Sequence, residues 1–509
     1  MNNDIYYRPP WTCGKYNADK HVAIMFNTLS RMSYFFEAES ADVVGLVLSA
    51  GRGGSISVEK VSNRLMISTY SINVFFKRLC SQQLLVENEI KNEDVDKYRK
   101  ECIGLAIPTA ADETAVKTTG ERTAVQAYAD IISEYGGVFE VSLELTYRCH
   151  EQCIHCYNPG ATRNDNERSG RGDKKELTLE EYKLIIDDLC ANGLTAVSIT
   201  GGDPFMYPKV WDIIDYLYQN DIATTILTNG LGLVGKEERL AAYFPFLVQC
   251  SLYSGESTVH DKITRTPGSW KRTIAVMDRL HELATPIDIA CPLMQTNLKS
   301  YFSVKPYKKK YGSSPSFDVQ LTDSLDGDKC ASHHLRLTQQ QLEVVLMDPD
   351  VIQNVTPNNV DDIDTSERGF LSGAPCSACK SKYCISPNGD VVPCVAFRKV
   401  LGNVRTQKTS EIIRTSPFVK QWMQTTAKDY GECYSHDYCF YCMPFCPGNN
   451  YNDRGECLNG GENNCYIAKI RYDIIKRLNS GDDILHNKTI EDCINELSIA
   501  EDDLQREYY

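Results

Sequence analysis

The sequence predicts an α/β fold, a partial (β/α)6 TIM barrel with an N-terminal winged helix-turn-helix domain and a C-terminal cysteine-rich domain. Three observations predict it. From residue 138, strand-like runs alternate with amphipathic helical windows, the pattern of a parallel sheet with right-handed crossovers. Six such repeats are fewer than the eight that close a full barrel. Beyond about residue 370 long elements give way to cysteines at short spacings.

The elements follow in order. "HVAIMFN" and "MSYFFE" are rich in β-branched and aromatic residues and predict a hairpin. "SADVVGLVLSAG" predicts a short helix with Ser40 at its N-cap, and "SVEKVSNRLMI" and "STYSINVFFKRLCSQQ" two more, each opened by a serine. "LLVEN" closes this unit with a strand, so residues 1–95 form the winged helix-turn-helix. Residues 96–137 are expected to be a helical or loose linker. In the barrel, 138–330, the strands are "VFEVSLELTY", "AVSIT", "ATTILTN", "LVQCSLY", "IDIACPL" and "SFDVQLT". Between them lie helical windows such as "TLEEYKLIIDDLCANG", "PKVWDIIDYLYQN" and "SWKRTIAVMDRLHELA". A bridging segment (331–370), the cysteine-rich domain (371–480, ending in the helical "CYIAKIRYDIIKRLNSG") and an acidic, partly disordered tail (481–509) complete the chain.

Composition narrows the function. The 509 residues, 42% apolar and 24% charged, are those of a soluble multidomain protein. No run approaches a membrane span, and "MNNDIYYRPPWTC" lacks the order of a signal peptide, so a cytoplasmic location is expected. A net charge of −14 without a Lys/Arg stripe argues against nucleic acid. In a reduced compartment, 21 cysteines point to metal or redox chemistry rather than to disulfides.

Cys149, Cys153 and Cys156 form a C-x3-C-x2-C set after the first barrel strand. Structural zinc wants four closed ligands, and only His150 or His155 is at hand to complete the set. An iron–sulfur cube held by three thiolates instead keeps one iron open for a chelating molecule. The set resembles the motif of the radical S-adenosylmethionine family, which carries an aromatic residue before the third cysteine, here His155. The resemblance implies that the open iron takes the amino and carboxylate groups of S-adenosylmethionine, which is split to a 5′-deoxyadenosyl radical. Gly201, Gly202, Asp203 and Pro204 resemble the family's glycine-glycine-acid-proline motif, although Asp replaces the commoner Glu. Two glycines let backbone carbonyls approach a ligand, and the acid is expected to accept from the ligand's ammonium. Asn229, after the third strand, is a candidate polar contact. Ser251 and Arg265 are candidate ribose and carboxylate contacts, in a stretch where Thr264 departs from the family's pattern.

Cys376, Cys379, Cys384 and Cys394, then Cys433, Cys439, Cys442, Cys446, Cys457 and Cys465, resemble the SPASM extension, which holds two auxiliary 4Fe–4S clusters. Gly389 and Cys394 match its Gly-x4-Cys step and Cys439/Cys442 its C-x2-C. The continuation departs from the pattern: Cys446 follows Cys442 after three residues, and Asn450 stands where the next cysteine would fall. The resemblance implies an outer cluster on Cys439, Cys442, Cys446 and Cys465. It implies an inner one on Cys394 with two or three of Cys376, Cys379, Cys384 and Cys457. With three ligands the inner cluster too has an open iron, able to bind a substrate thiolate; zinc is the alternative for the region.

"VEKVSNRLMISTYSINVFFKRL" has too few cations for a DNA-recognition helix. It resembles the peptide-recognition element of ribosomal-peptide maturases, where a precursor's leader adds a strand to the sheet edge; a plain scaffold or dimerisation domain is the alternative. The expected activity is a thioether crosslink of the sactipeptide or ranthipeptide type. A reducing partner such as flavodoxin or ferredoxin is also implied. Carbon–carbon or carbon–oxygen crosslinking, epimerisation, formylglycine formation on a sulfatase and non-catalytic electron carriage are the alternatives.

Overall fold

The computed structural model describes residues 4–102, 123–158, 175–314, 316–324, 334–352, 376–426, 429, 431, 436, 438, 446–458 and 462–497. Its centre is an eight-stranded sheet in the order β10-β9-β8-β7-β6-β11-β12-β13. Five strands are parallel and come from the barrel: β6 (Glu140–Glu144), β7 (Ala196–Thr200), β8 (Ala223–Thr228), β9 (Leu247–Ser251) and β10 (Ile287–Ala290). The expected sixth, "SFDVQLT", contributes among the described residues only the bridge between Pro292 and Asp318. The sixth parallel strand is β11 (Lys382–Ile385), added to the other edge from the cysteine-rich region. Lys382 pairs with Glu140 and Ile385 with Leu143, and β12 (Asp390–Val392) and β13 (Gly402–Asn403) continue the sheet antiparallel.

Alternation decides which side chains face the helices. Val141 and Leu143 of β6 and Tyr383 and Ile385 of β11 belong to the main core, whereas Ser142, Glu144 and Cys384 point to the opposite, concave face. The covering helices form where the sequence places them. Leu179–Cys190 starts with a capping box between Thr178 and Glu181, and buries Tyr182, Ile185, Ile186 and Leu189 against the sheet.

The N-terminal unit is built differently from the expected strand pair, three helices and strand. It has a three-stranded antiparallel sheet, β2 (Thr12–Asn17), β3 (Val22–Asn27) and β4 (Met32–Glu37). The short strands β1 (Ile5–Tyr7) and β5 (Ser55–Ser57) pair with each other, and "LLVEN" gives only the bridge of Val86 to Tyr7. Gly14 explains β2: a Cβ there would stand 2.1 Å from the Ile24 carbonyl oxygen, so the close strand contact requires glycine. The helix over the sheet, Ala38–Ser49, begins before Ser40, which is not its cap. Helices Val58–Leu65 and Thr69–Ser81 follow, capped by Ser57 and Ser68.

One face of this sheet meets its own helices; the other sits on the N-terminal end of the barrel. Cys13, Val22, Ile24 and Phe26 share a core with Phe139, Ala223 and the helix Ala124–Glu134, part of the expected linker. Phe26 meets Phe246, before β9, edge to face at 5.8 Å. Arg8, fully buried, grips Asp221 at the entry to β8 with N–O distances of 2.9 and 2.6 Å, and Arg52 adds a third contact at 3.2 Å. Residues 481–497 of the expected tail include the helix Ile490–Asn495, whose Ile494 is fully buried in the main core. The rest of the tail, residues 103–122 of the linker and 353–370 of the bridge lie outside the described residues. Among the described residues no helix is long and apolar enough to cross a membrane.

Arg8→Met removes one partner of a buried pair and is expected to weaken the docking of the N-terminal unit by about 3 kcal/mol. Hydrogen exchange reads this as lost protection in β2 and β3; unchanged protection contradicts it.

Candidate functional site at the strand C-termini

The loop after β6 carries Cys149, Cys153 and Cys156 and is pinned by backbone bonds. Gln152 N–H donates to the Thr264 carbonyl and Ile154 N–H to that of Ile263, both at 3.0 Å, while Cys156 N–H closes onto Cys153 O at 3.1 Å. The glycine pair after β7 abuts the chain just before Cys149. Gly201 has φ 132°, and a Cβ on it would stand 2.3 Å from Thr146 O; one on Gly202 would stand 2.3 Å from Arg148 O. The glycines therefore admit the cysteine loop, and the Gly201 carbonyl accepts from Asn158 Nδ2 at 2.7 Å. Asp203 is fully buried: Oδ1 accepts from Phe205 N at 2.9 Å, and Oδ2 from Thr228 Oγ1 at 2.7 Å and Asn229 N at 3.3 Å. It fastens the turn led by the buried Pro204 to the end of β8, with both oxygens engaged by protein donors.

Asn229 reaches the cysteines directly, its Nδ2 donating to Cys149 Sγ at 3.3 Å. Ser251 ends β9 opposite Ala290. Arg265 caps the helix Ser257–Thr264 in the left-handed region at φ 51°, next to the Thr264 carbonyl that holds the cysteine loop. His155 packs edge-on against Tyr253 at 4.6 Å, and Tyr253 stacks on His260 at 5.4 Å. Burial pushes His155 down to about 4, so this wall of rings is neutral. Glu151, inside the motif, had no signal of its own in the sequence; it is buried, pushed up to about 8 by that burial, and takes a contact from Cys153 Sγ at 3.4 Å.

These cysteines suit a cationic centre. Burial raises the Cys149 and Cys153 thiols; Asp203 raises the first further, and Glu151 and the other two thiols the second. Such thiols ionise when a metal supplies the opposing charge. Cys149 Sγ also accepts the N–H of Glu151 at 3.4 Å. The same local bond recurs at Cys376 (Ala378 N–H, 3.4 Å), Cys394 (Ala396 N–H, 3.2 Å) and Cys446 (Asn449 N–H, 3.4 Å). An acceptor role suits a metal-bound thiolate, although Cys153 Sγ is the donor in its contact with Glu151 Oε2. By contrast, the buried Cys291 turns its thiol as donor toward Tyr253 O at 3.7 Å.

The second gathering differs from the expected division. Cys379 is raised by burial and then by Cys376, Cys394 and Cys457; Cys446 by burial and then by Cys394 and Cys376. Cys446, expected in the outer set, thus feels Cys394 and Cys376 of the inner one, as Cys384 feels Cys394, and the helix Pro447–Arg454 starts at it. Cys384, expected in the inner set, points to the concave face; burial raises its thiol most and Glu144 next, Arg398 opposes the shift and Cys394 adds to it. Cys465 sits on the helix Glu462–Asn479, and Cys433, Cys439 and Cys442 lie outside the described residues.

Residues 143–294 match the radical SAM superfamily model, and residues 376–443 match the SPASM iron–sulfur cluster-binding domain model. The chain carries a radical S-adenosylmethionine domain followed by a SPASM domain. It is accordingly a radical enzyme whose cofactors are S-adenosylmethionine and 4Fe–4S clusters. Among curated relatives, it is 28% identical to the antilisterial bacteriocin subtilosin biosynthesis protein AlbA of Bacillus subtilis, over 66% of this chain and 71% of AlbA. It is 26% identical to the mycofactocin maturase MftC of Mycobacterium ulcerans, over 58% of this chain and 80% of that protein. Among solved structures it resembles Streptococcus suis SuiB bound to its precursor peptide SuiA, with a TM-score of 0.53 at 15% identity over 90% of this chain and 99% of SuiB. It also resembles anSMEcpe with bound AdoMet and Cp18Cys peptide, with a TM-score of 0.51 at 13% identity over 67% of this chain and 99% of that one.

Cys446→Ala is expected to lower iron and acid-labile sulfide per chain, while Cys384→Ala leaves both at the wild-type level. The reverse order would return Cys384 to the ligand set. Replacing Cys149, Cys153 and Cys156 together should leave iron in the C-terminal domain; its complete loss would contradict separate sites.

Proposed function

We propose that the chain is a peptide maturase that installs sulfur-to-carbon thioether crosslinks in a ribosomally made precursor. The observation that carries this reading is the placement of two cysteine gatherings on one sheet. The first stands at the rim after β6, and the second around the hairpin that pairs with that same strand. With S-adenosylmethionine and the cluster bound, the site supplies a 5′-deoxyadenosyl radical for hydrogen abstraction. The protein's own work is to bring one unactivated carbon of the peptide within reach and to keep water from it. Cys149, Cys153 and Cys156 would hold the first cluster, with Asn229 steadying the Cys149 sulfur. Cys394, with Cys376, Cys379, Cys446 and Cys457 close by, would hold the inner auxiliary cluster, and Cys439, Cys442 and Cys465 would serve the outer one.

The N-terminal unit supports a peptide substrate. The likeness to SuiB, whose structure contains a precursor peptide, extends over 90% of this chain, whereas anSMEcpe matches 67%. A sulfatase-type formylglycine maturase would have no use for the unit. The winged-helix reading places the leader along β4, an edge strand, beside the helix Thr69–Ser81. Phe36 and Phe75 meet there edge to face at 6.1 Å, and Tyr70 and Val74 are exposed on that helix. A flavodoxin- or ferredoxin-type reductant would supply the electron.

The test uses a short cysteine-bearing peptide encoded beside the gene. The product is expected to lose two hydrogens in mass, with a new bond at a cysteine sulfur; an unchanged mass with an inverted α-carbon points to epimerisation and overturns the thioether. Val74→Glu is expected to weaken peptide binding at least tenfold while 5′-deoxyadenosine release without peptide stays the same. Equal affinity removes the docking role. The substitution is preferable to deleting residues 1–95, which would uncover Phe139, Ala223 and Phe246.

A further inference from the structure

Between the two cysteine gatherings lies a buried ion pair that neither site explains. Glu144, the last residue of β6, stands five positions before Cys149; Arg398 stands four positions after Cys394. Their side chains meet as a fork, Arg398 Nη2 to Glu144 Oε1 at 2.6 Å and Nη1 to Oε2 at 2.8 Å. The carboxylate is wholly buried and the guanidinium 14% exposed. Tyr147 Oη closes on the carboxylate at 3.5 Å, and Tyr157, directly after Cys156, faces the same pair and Cys384. The third nitrogen of the guanidinium, Nε, is buried and finds no hydrogen-bonding N or O partner among the described residues.

A buried ion pair adds little net stability compared with well-packed apolar residues. Its position therefore calls for another account. The concave face next to β11 is lined by one positive and one negative group at fixed places, and the positive one is on the chain segment that leaves Cys394. The turn there is tight, with Phe397 N–H donating to Cys394 O at 3.0 Å, so Arg398 cannot move far from that cysteine.

We infer that Arg398 is a positioning residue whose fixed charge, held by the Glu144 fork, sets the reduction potential of the inner auxiliary cluster and ties that cluster's place to the first barrel strand. The inference rests on the reading of Cys394 as a ligand of that cluster. Its physics is simple. Reduction adds negative charge to a cluster, and a cation near a ligand sulfur favours the reduced form in a medium that screens poorly. Glu144 lies on the barrel side of the pair and offsets part of that effect. The two partners therefore act on the potential with opposite signs, a signature that packing alone does not produce.

The experiment is an EPR-monitored redox titration of the full-length, anaerobically reconstituted protein and its variants. E144Q keeps the shape and leaves the cation uncompensated, so the auxiliary midpoint potential is expected to rise. R398M removes the cation and is expected to lower it, while R398K, which retains the charge, stays nearer the wild type. Potentials of E144Q and R398M that equal the wild type, or that shift in the same direction, overturn the proposal when iron content is complete. If R398M fails to hold iron, E144Q decides alone, because its side chain is isosteric. Failure of the underlying reading shows separately: C394A with its full iron content would remove the cluster from Cys394 whatever the titrations gave.

Discussion

The parallel pairing of β11 on β6 is the constraint on which the rest of the structure depends. Four residues of each strand are in register, from Lys382 beside Glu140 to Ile385 beside Leu143. Through that pairing the strand that delivers Cys149, Cys153 and Cys156 is also the strand on which the cysteine hairpin is built. Backbone hydrogen bonds then hold the two metal-binding regions at one separation, because strand register cannot slip by one residue without turning Cys384 and Glu144 into the core. The Glu144–Arg398 fork fixes the same junction from the side chains.

The barrel's polarity places everything else. Cysteines, glycines, Asp203 and Asn229 gather at the C-terminal ends of the strands, as in other barrel enzymes. The N-terminal unit occupies the opposite end, sealed by Phe26, Phe139 and Phe246 and bolted by Arg8 to Asp221. The N-terminal unit and the rim are separated by at least the length of the strands, roughly 3.3 Å for each residue along β6. The proposed leader docking on that unit thus requires a substrate long enough to reach around the barrel.

Much of this was legible in the sequence, for reasons that differ by element. The C-x3-C-x2-C spacing is local, so it announced its chemistry directly, and strands β6 to β10 announced themselves by apolar runs between amphipathic helices. What escaped was mostly tertiary. "SFDVQLT" alternates like a strand yet gives only one bridge, while "KYCI", too short to stand out, became the sixth parallel strand. Asp203 and the two glycines were expected to face a ligand; nothing in the sequence showed that the glycines also abut the cysteine loop or that Asp203 is bonded to the end of β8. The assignment of Cys446 followed spacing, which carries no sign that its thiol feels Cys394 and Cys376. Glu144 and Arg398 are 254 residues apart and carry no pattern that pairs them.

The central claim is that the trio of thiolates after β6 holds an iron–sulfur cube with one coordination position open. The most direct measurement is the EPR spectrum of the reduced, anaerobically reconstituted protein before and after addition of S-adenosylmethionine. The expected result is a change in the g-values of one cluster, because the added molecule becomes a ligand of its open iron. A spectrum that does not respond, or tetrahedral zinc bound at Cys149, Cys153 and Cys156, would contradict the account.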